Sequence, residues 1–391
     1  MSALVTIVDV DVFRVPPRWF FVRVRCSDGS VGWGEAIVPK RPRAVVGAIE
    51  DIADNIRGED AGRVEDLWQR MHRGAFFRGG PILATAAAAI EQALWDAKAR
   101  RTGLPVYEFL GGAVRESVRT YAWVGGDNPS DVVDHTARRI EQGMTAVKMN
   151  VAGQLDYLET SPAIDAVVER VASIRAKFGK ALGIAVDFHG RANHVVARTL
   201  LRELAPYGLM WVEEPVAPEC DDTLKDLRRV AGSTPIATGE RLTSRWQFKQ
   251  LLVDGTVDVL QPDVSLTGLF ELEKICRMAE AFDVAVAPHN PNGPISLAAS
   301  LQVDMCCGNV VIQEHSAGLH YNQGYAGLRP ADLGDYLRDP TPLRPVGGQF
   351  LRGDAPGLGI EVDPDVVADR VHDWELPDPV WRREDGRLAE W

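Results

Sequence analysis

Short apolar runs recur through the middle of this chain, and each closes on polar residues: "YAWVGG", "TAVKMN", "IAVDFHG", "LMWVEEP", "PIATGE", "VDVLQPD", "VAVAPHN" and "NVVIQEHS". Their polar ends fall near residues 125, 149, 187, 214, 240, 263, 289 and 314, with one longer step around Gln154–Ala163. Apart from that step the interval is about 25 residues, room for a strand, a turn and a returning helix. Segments such as "TLLRELAPYG" and "LFELEKICRMAEAFD" carry helical apolar spacing between the runs. Eight such units predict a parallel barrel with its helices outside. An open doubly wound sheet is the alternative, but it usually has fewer strands and a Gly-rich phosphate turn near its start, and no GxGxxG follows a first strand here. The barrel reading fixes a direction: polar residues at the C-terminal strand ends collect in one mouth.

The flanks follow a different pattern. "RWFFVRVRCSDGSVGWGEAIV" predicts two strands joined at the Asp28-Gly29 turn. "PILATAAAAIEQALWDAKARRTG" predicts a helix starting near Pro81 and stopping at Gly103, with Ile82, Ala86, Ile90 and Leu94 on one face. After about Tyr325 the repeat stops, and "PGLGIEVDPDVV" and "WRREDGRLAEW" read as a tail returning to the N-terminal unit. The expected division is 1–118 for an α+β capping unit, 119–325 for the barrel and 326–391 for the tail.

A formal net charge of −12 argues against a nucleic-acid partner or an anionic membrane surface. The five cysteines (Cys26, Cys220, Cys276, Cys306, Cys307) have neither metal-type nor disulfide-framework spacing and fit a reducing cytoplasm. The N-terminal "MSALVTIVDVDVFRVPP" alternates like a strand and lacks the regions of a signal peptide. The most apolar run, "ILATAAAAI", falls short of the ~20 residues a membrane helix needs. The expectation is a soluble cytoplasmic protein.

Three consecutive strand ends carry a carboxylate: Asp187, Glu213 and Glu240. Neighbouring strands lie ~4.8 Å apart, so three such groups can converge. Each acid alone reads more simply as the cap of the following helix. Three in successive units, with no thiolate among them, point instead to hard oxygen ligands for Mg²⁺. Asp187 and His189 are two apart, which on a strand is one face. His289 ends the seventh run, and Asp263 ends the adjacent sixth. A carboxylate beside an imidazole fixes its tautomer and raises its basicity, the arrangement of a general base. Lys148 and Asn150 share a face on strand two, and Glu314 ends strand eight. His72, His135, His194, His315, His320 and His372 have no such partner in sequence and read as structural or solvated.

This order of Asp, Glu, Glu and an Asp–His pair resembles the enolase superfamily in its mandelate racemase branch. Closer still, "PPRWFF", "GWGE", "FRGGPIL", "QALWD", "WVGGD", "DFHGR", "EEPV", "LQPD", "APHNPNGPI", "QEHS" and "WRREDGRLAEW" resemble the sugar-acid dehydratase group, the galactonate dehydratases in particular. The resemblance implies an α/β fold: a modified TIM barrel of (β/α)7β type with an α+β N-terminal capping domain completed by the C-terminal tail. It implies Mg²⁺ on Asp187, Glu213 and Glu240, His289 as base supported by Asp263, and His189 as acid. Glu314 would stabilise an enolate, and Arg18, Lys148 and Asn150 would contact substrate. The implied reaction is dehydration of an aldonate, galactonate ahead of gluconate, by a homo-oligomer. A racemase of the same branch wants a second base where this chain has Asn150. "DVSLTGLFELEKI", "HNPNGP" and "AIVPKRPRAV" depart from the galactonate dehydratase pattern and bear on which sugar acid is taken.

Overall fold

The computed structural model describes residues 4–125, 129–151, 155–376, 381–383 and 385–390. Gly126 and Asp127 of "WVGGD", and Glu384 and Trp391 of the terminal motif, lie outside the described residues.

The chain opens with an antiparallel sheet of β1 (Ile7–Val15), β2 (Trp19–Cys26) and β3 (Val31–Ala36), in that order. The β2–β3 turn falls where the sequence places it. Gly29 takes a φ of 83°, and Asp28 Oδ1 accepts the Ser30 N–H at 3.0 Å. β3 is an edge strand, and α3 (Pro81–Thr102) satisfies its free N–H groups. Trp33 donates to Asp96 Oδ2 at 3.0 Å, Glu35 to Gln92 Oε1 at 3.1 Å, and Ile37 to Thr85 Oγ1 at 2.7 Å. The glycines of "GWGE" permit that approach, since a Cβ on Gly32 or Gly34 would meet the Ala93 or Ala89 carbonyl oxygen at 2.0 or 1.9 Å.

α3 begins at Pro81 and ends at a left-handed Gly103, as expected. It differs from the expected amphipathic helix in being buried almost all round between Ala84 and Ala99. It lies between the sheet on one side and barrel helices on the other, and its alanines allow both approaches. Glu91 of α3 crosses that seam, where its carboxylate accepts the N–H groups of Leu269 at 2.7 Å and Phe270 at 2.9 Å. It thereby caps a barrel helix, α10 (Leu269–Glu280). The remaining helices of this unit are α1 (Pro42–Ile56) and α2 (Val64–Arg73).

Among the described residues the barrel has eight parallel strands: β4 (Ser117–Trp123), β5 (Ala146–Asn150), β6 (Gly183–Asp187), β7 (Trp211–Glu213), β8 (Ile236–Thr238), β9 (Val259–Leu260), β10 (Ala285–Val286) and β11 (Gln313–His315). They neighbour one another in chain order, with β11 returning to β4. Closure between β10 and the approach to β11 is a parallel bridge from Val286 to Val310. The crossover helices are α4 (Pro129–Glu141), α5 (Ser161–Phe178), α6 (His194–Leu204), α7 (Leu224–Ala231), α8 (Arg245–Asp254), α9 (Val264–Thr267) with α10, and α11 (Pro294–Cys306). β11 runs into short 3₁₀ turns at His320–Gln323 and Tyr325–Gly327, so the architecture is the expected (β/α)7β.

Inside the barrel, Tyr121 and Trp211 meet edge to face with centroids 5.5 Å apart, ringed by Ala146, Ala185, Ala237 and Ala287. Two large rings among four alanines fill the axis beneath the mouth, and removing either ring would cost about 3–5 kcal/mol.

The C-terminal segment adds β12 (Gln349–Leu351) antiparallel to β4, and α12 (Pro364–Asp369). Tyr336 donates its hydroxyl to Pro16 O at 2.7 Å, and Trp374 packs edge-on against Phe20, so this stretch covers the three-stranded sheet. The last turn goes elsewhere. Arg383 and Arg387 pair with Asp156 at 2.6 and 3.1 Å, and Glu390 lies 3.6 Å from Arg241, all on barrel loops. Among the described residues, no helix is long and apolar enough to cross a membrane.

Candidate active site

The register of the sheet sets the floor of the mouth. Asn150 on β5 pairs with Asp187 on β6, and Asp187 with Glu213 on β7. Glu314 on β11 lies opposite Tyr121 on β4. Glu240, Asp263 and His289 come from the loops just past β8, β9 and β10.

Asp187 and His189 meet by a route other than strand alternation. β6 ends at Asp187, and His189 has a φ of 59°, the left-handed region that non-glycine residues rarely occupy. What joins them is the carboxylate: Asp187 Oδ1 accepts the His189 backbone N–H at 2.7 Å, and Oδ2 lies 3.1 Å from its Nδ1. Arg241 braces the turn by donating to His189 O at 2.8 Å while its guanidinium also lies 2.7 Å from Glu214 Oε2. Capping does not account for Asp187, because α6 takes its N-cap from Asn193.

Ligand atoms of Asp187, His189 and Glu240 lie within 4.8 Å of one another. Glu240 Oε2 is buried and accepts no hydrogen bond among the described residues. A buried carboxylate oxygen left without a hydrogen bond, beside a second carboxylate, fits a hard divalent cation. Glu213 stands next to Asp187, but its oxygens already have partners. Lys148 Nζ is 2.6 Å from Oε1, while Trp211 Nε1 and Gln261 Nε2 donate to Oε2 at 3.0 and 2.6 Å.

His289 Nδ1 lies 2.9 Å from Asp263 Oδ2, and its Nε2 lies 3.5 Å from Glu240 Oε2. Burial opposes charge on this ring, but Glu240, Asp263 and Glu314 outweigh it and push the imidazole up to about 10. In return, although burial works against it, Glu240 is held well below the usual carboxylate range by His289 and His189. Asp263 also caps α9, accepting the Ser265 N–H at 2.7 Å.

Lys148 is buried with Nζ 2.6 Å from Glu213 and 2.9 Å from Glu314. Burial alone would lower its proton affinity, yet those two carboxylates raise it well above the ordinary lysine range. Asn150 Oδ1 accepts from Trp123 Nε1 at 2.9 Å. Arg18 reaches the mouth from the β1–β2 turn, donating to Pro291 O at 3.2 Å with its guanidinium 4.0 Å over the Tyr321 ring. His315 and His320 are both pushed down by burial, to about 3 and about 4, so neither carries a proton at neutral pH.

Sequence reasoning missed the residues that hold these groups in place. Asn292 donates to both Asp263 oxygens, at 3.2 and 2.9 Å, and the Asn290 N–H reaches Glu314 Oε2 at 3.1 Å. The signal was present in "APHNPNGPI", but loop residues follow no period that would assign a direction to each amide.

Residues 15–111 match the family model for the mandelate racemase / muconate lactonizing enzyme N-terminal domain, and residues 131–366 match the enolase C-terminal domain-like model. The D-galactonate dehydratase of Ralstonia pickettii is 46% identical over 385 residues, covering 97% of this chain and 98% of that protein. The D-galactonate dehydratase of Pectobacterium atrosepticum is 42% identical over 391 residues, covering 98% and 100%. A solved enolase superfamily member from Salmonella Typhimurium superposes with a TM-score of 0.83 at 28% identity, covering 93% of this chain and 98% of that one. A mandelate racemase/muconate lactonizing enzyme from Jannaschia gives a TM-score of 0.83 at 28% identity, covering 94% and 98%. With both family models matched in order on a closed, capped barrel, this chain belongs to the enolase superfamily, in its mandelate racemase/muconate lactonizing branch.

Proposed function

We propose that this protein is a Mg²⁺-dependent hydro-lyase that converts D-galactonate to 2-keto-3-deoxygalactonate. The observation that carries the reading is the placement of two imidazoles about one carboxylate. His189 Nδ1 is 3.9 Å from Glu240 Oε1, and His289 Nε2 is 3.5 Å from Glu240 Oε2. An elimination needs one proton taken and one given, and two histidines delivered from β6 and β10 can divide those tasks.

A proton α to a carboxylate is weakly acidic, because its removal places a second negative charge on the same group. Asp187, Glu213 and Glu240 would hold the Mg²⁺, which when bound offsets that developing charge. His289, oriented by Asp263, takes the C2 proton on Nε2, which a cation on Glu240 would leave unprotonated by cancelling the carboxylate charge that holds a proton there. His189 gives a proton to the C3 hydroxyl, which leaves as water, and the resulting enol ketonises. Glu314 meets the enolate side of the substrate, with Lys148 balancing its charge. Arg18 and Asn150 border the substrate from the cap and from β5.

Proton exchange on both faces of C2 would need a second base near β5. Asn150 occupies that place, and an amide accepts no proton at neutral pH. The racemase reading therefore lacks its second base on β5.

The cap and the tail segment from 326 onward belong with substrate selection in this scheme, since Arg18 comes from the first and Glu390 closes on Arg241 from the second. A cytoplasmic homo-oligomer is the assembly we propose. The deciding experiment is a screen of the purified protein with Mg²⁺ against aldonates and aldarates, reading 2-keto acid as its semicarbazone. Turnover of galactonate that EDTA abolishes is expected. Turnover of gluconate alone would move the substrate and keep the chemistry, while silence on every acid would overturn the reading.

A further inference from the structure

The last residue of "GWGE" lies outside the mouth, yet it is tied to the loop that carries His289. Glu35 on β3 is fully buried, and its carboxylate crosses from the cap to the barrel. Oε1 accepts the Gly293 N–H at 2.6 Å, and Oε2 accepts those of Ile295 and Ser296 at 3.2 and 3.0 Å. These are the orphan donors at the start of α11, where Pro294 has none to offer. A Cβ on Gly293 would come within 2.5 Å of Glu35 Oε1, so the contact requires glycine at that position.

From that turn the bonds continue to the base. Ser296 Oγ bonds Ser265 Oγ at 2.8 Å and accepts from the Asn290 amide at 3.1 Å. Asn292, next to Gly293, donates to both oxygens of Asp263, which faces His289 Nδ1 at 2.9 Å. A run of contacts thus joins Glu35 to His289 through Gly293, Asn292 and Asp263. Glu91 is the natural comparison. It caps α10 from the same seam by the same chemistry, but the residues it holds, Leu269 and Phe270, carry no group of the mouth.

We propose that Glu35 is a positioning residue for His289: the cap, by seating one carboxylate on residues 293–296, sets the Asp263–His289 geometry. This rests on the reading of His289 as the C2 base. It makes cap docking part of the reaction geometry as well as of substrate enclosure.

The test compares Glu35→Gln with Glu91→Gln. Glutamine turns an NH₂ toward a backbone N–H that the carboxylate had satisfied, so both variants should melt lower. For Glu35→Gln, kcat should fall about tenfold to 100-fold with KM within about threefold, and C2 proton exchange into D₂O should fall by the same factor. For Glu91→Gln, kcat should stay within about twofold. Equal kcat in Glu35→Gln and wild type would overturn the proposal. If Glu35→Gln does not fold, Asn292→Ala takes its place, with the same kcat loss expected and an unchanged kcat overturning the route. If the wild type neither dehydrates nor exchanges any sugar acid, the functional reading has failed on its own. The positioning claim is then decided without substrate, by the rate at which diethyl pyrocarbonate modifies His289, read by peptide mass. A rise of about threefold or more in Glu35→Gln supports it, because a ring released from Asp263 is more often neutral, and an unchanged rate overturns it.

Discussion

His289 Nε2 lies 3.5 Å from Glu240 Oε2 in a buried site, so each group sets the charge of the other. The imidazole is raised from an ordinary 6.5 to about 10, and the carboxylate is lowered from an ordinary 4.5. A raised imidazole contributes stability that is complete below about 6.5 and lost as pH climbs through about 10. A lowered carboxylate contributes stability present above about 4.5 and lost as pH falls through its native value. Metal-free protein should therefore melt highest between about pH 5 and 6.5 and decline toward pH 9. In EDTA, thermal melts across that range should show the decline, and His289→Asn should flatten its alkaline side. An alkaline decline of equal depth in the variant would count against the pairing.

The ligand set is open to a direct test, because two third ligands are placed for it. His189 clusters with Asp187 and Glu240, whereas Glu213 lies beside Asp187 with its oxygens already bonded. Mg²⁺ prefers oxygen over imidazole nitrogen, which favours Glu213 once a cation draws its carboxylate. Calorimetric titration with Mg²⁺ should find Asp187→Asn and Glu240→Gln without measurable binding and Glu213→Gln weakened about tenfold or more. His189→Asn should stay within about threefold of wild type. Loss of binding in His189→Asn with affinity kept in Glu213→Gln would exchange the two assignments.

Lys148 serves charge balance more than proton transfer. Two carboxylates at 2.6 and 2.9 Å keep its ammonium protonated, so it is no base at neutral pH. Lys148→Met would leave Glu213 and Glu314 buried against each other without a cation, at a cost of about 3–5 kcal/mol in metal-free protein. Urea unfolding of chelated samples measures it, and a loss below about 1 kcal/mol would mean that water reaches the carboxylates and screens them.

The fold was legible because buried parallel strands write themselves as apolar runs, and the run spacing counts the units. β7 to β10 are only two or three residues long, yet the runs around them were visible, since burial extends beyond the hydrogen-bonded ladder. The hairpin at Gly29 and the ends of α3 followed from turn and cap chemistry. What did not follow was the all-round burial of α3, because an alanine-rich helix reads the same whether one face or every face is covered. In the mouth, residue types pointed to Asp187, Glu240 and His289. The brace residues Asn292, Gln261, Arg241 and Glu35 stayed hidden because their roles depend on contacts 26 or more positions away in sequence or on loop geometry without a period. His189 shows the limit most plainly. Its pairing with Asp187 was anticipated, but it comes from a left-handed turn that no alternation rule describes.

The division of labour between the two histidines separates a base from an acid by isotope. His289 faces Asp263 and one Glu240 oxygen, while His189 faces Asp187 and the other, so the rings work from different strands and need not fail together. His289→Asn should abolish both dehydration and exchange of the C2 proton with D₂O, because it removes the proposed base. His189→Asn should slow dehydration by about 100-fold or more, since an unassisted hydroxide is a poor leaving group. It should nonetheless retain C2 exchange, because the proton is removed and returned on the same face by His289. Incubating each variant with Mg²⁺ and galactonate in D₂O, and following C2 by proton NMR, measures both quantities in one sample. Exchange lost equally in the two variants would mean that proton removal and hydroxyl departure are one concerted step, and His189 would then act before the enolate has any lifetime.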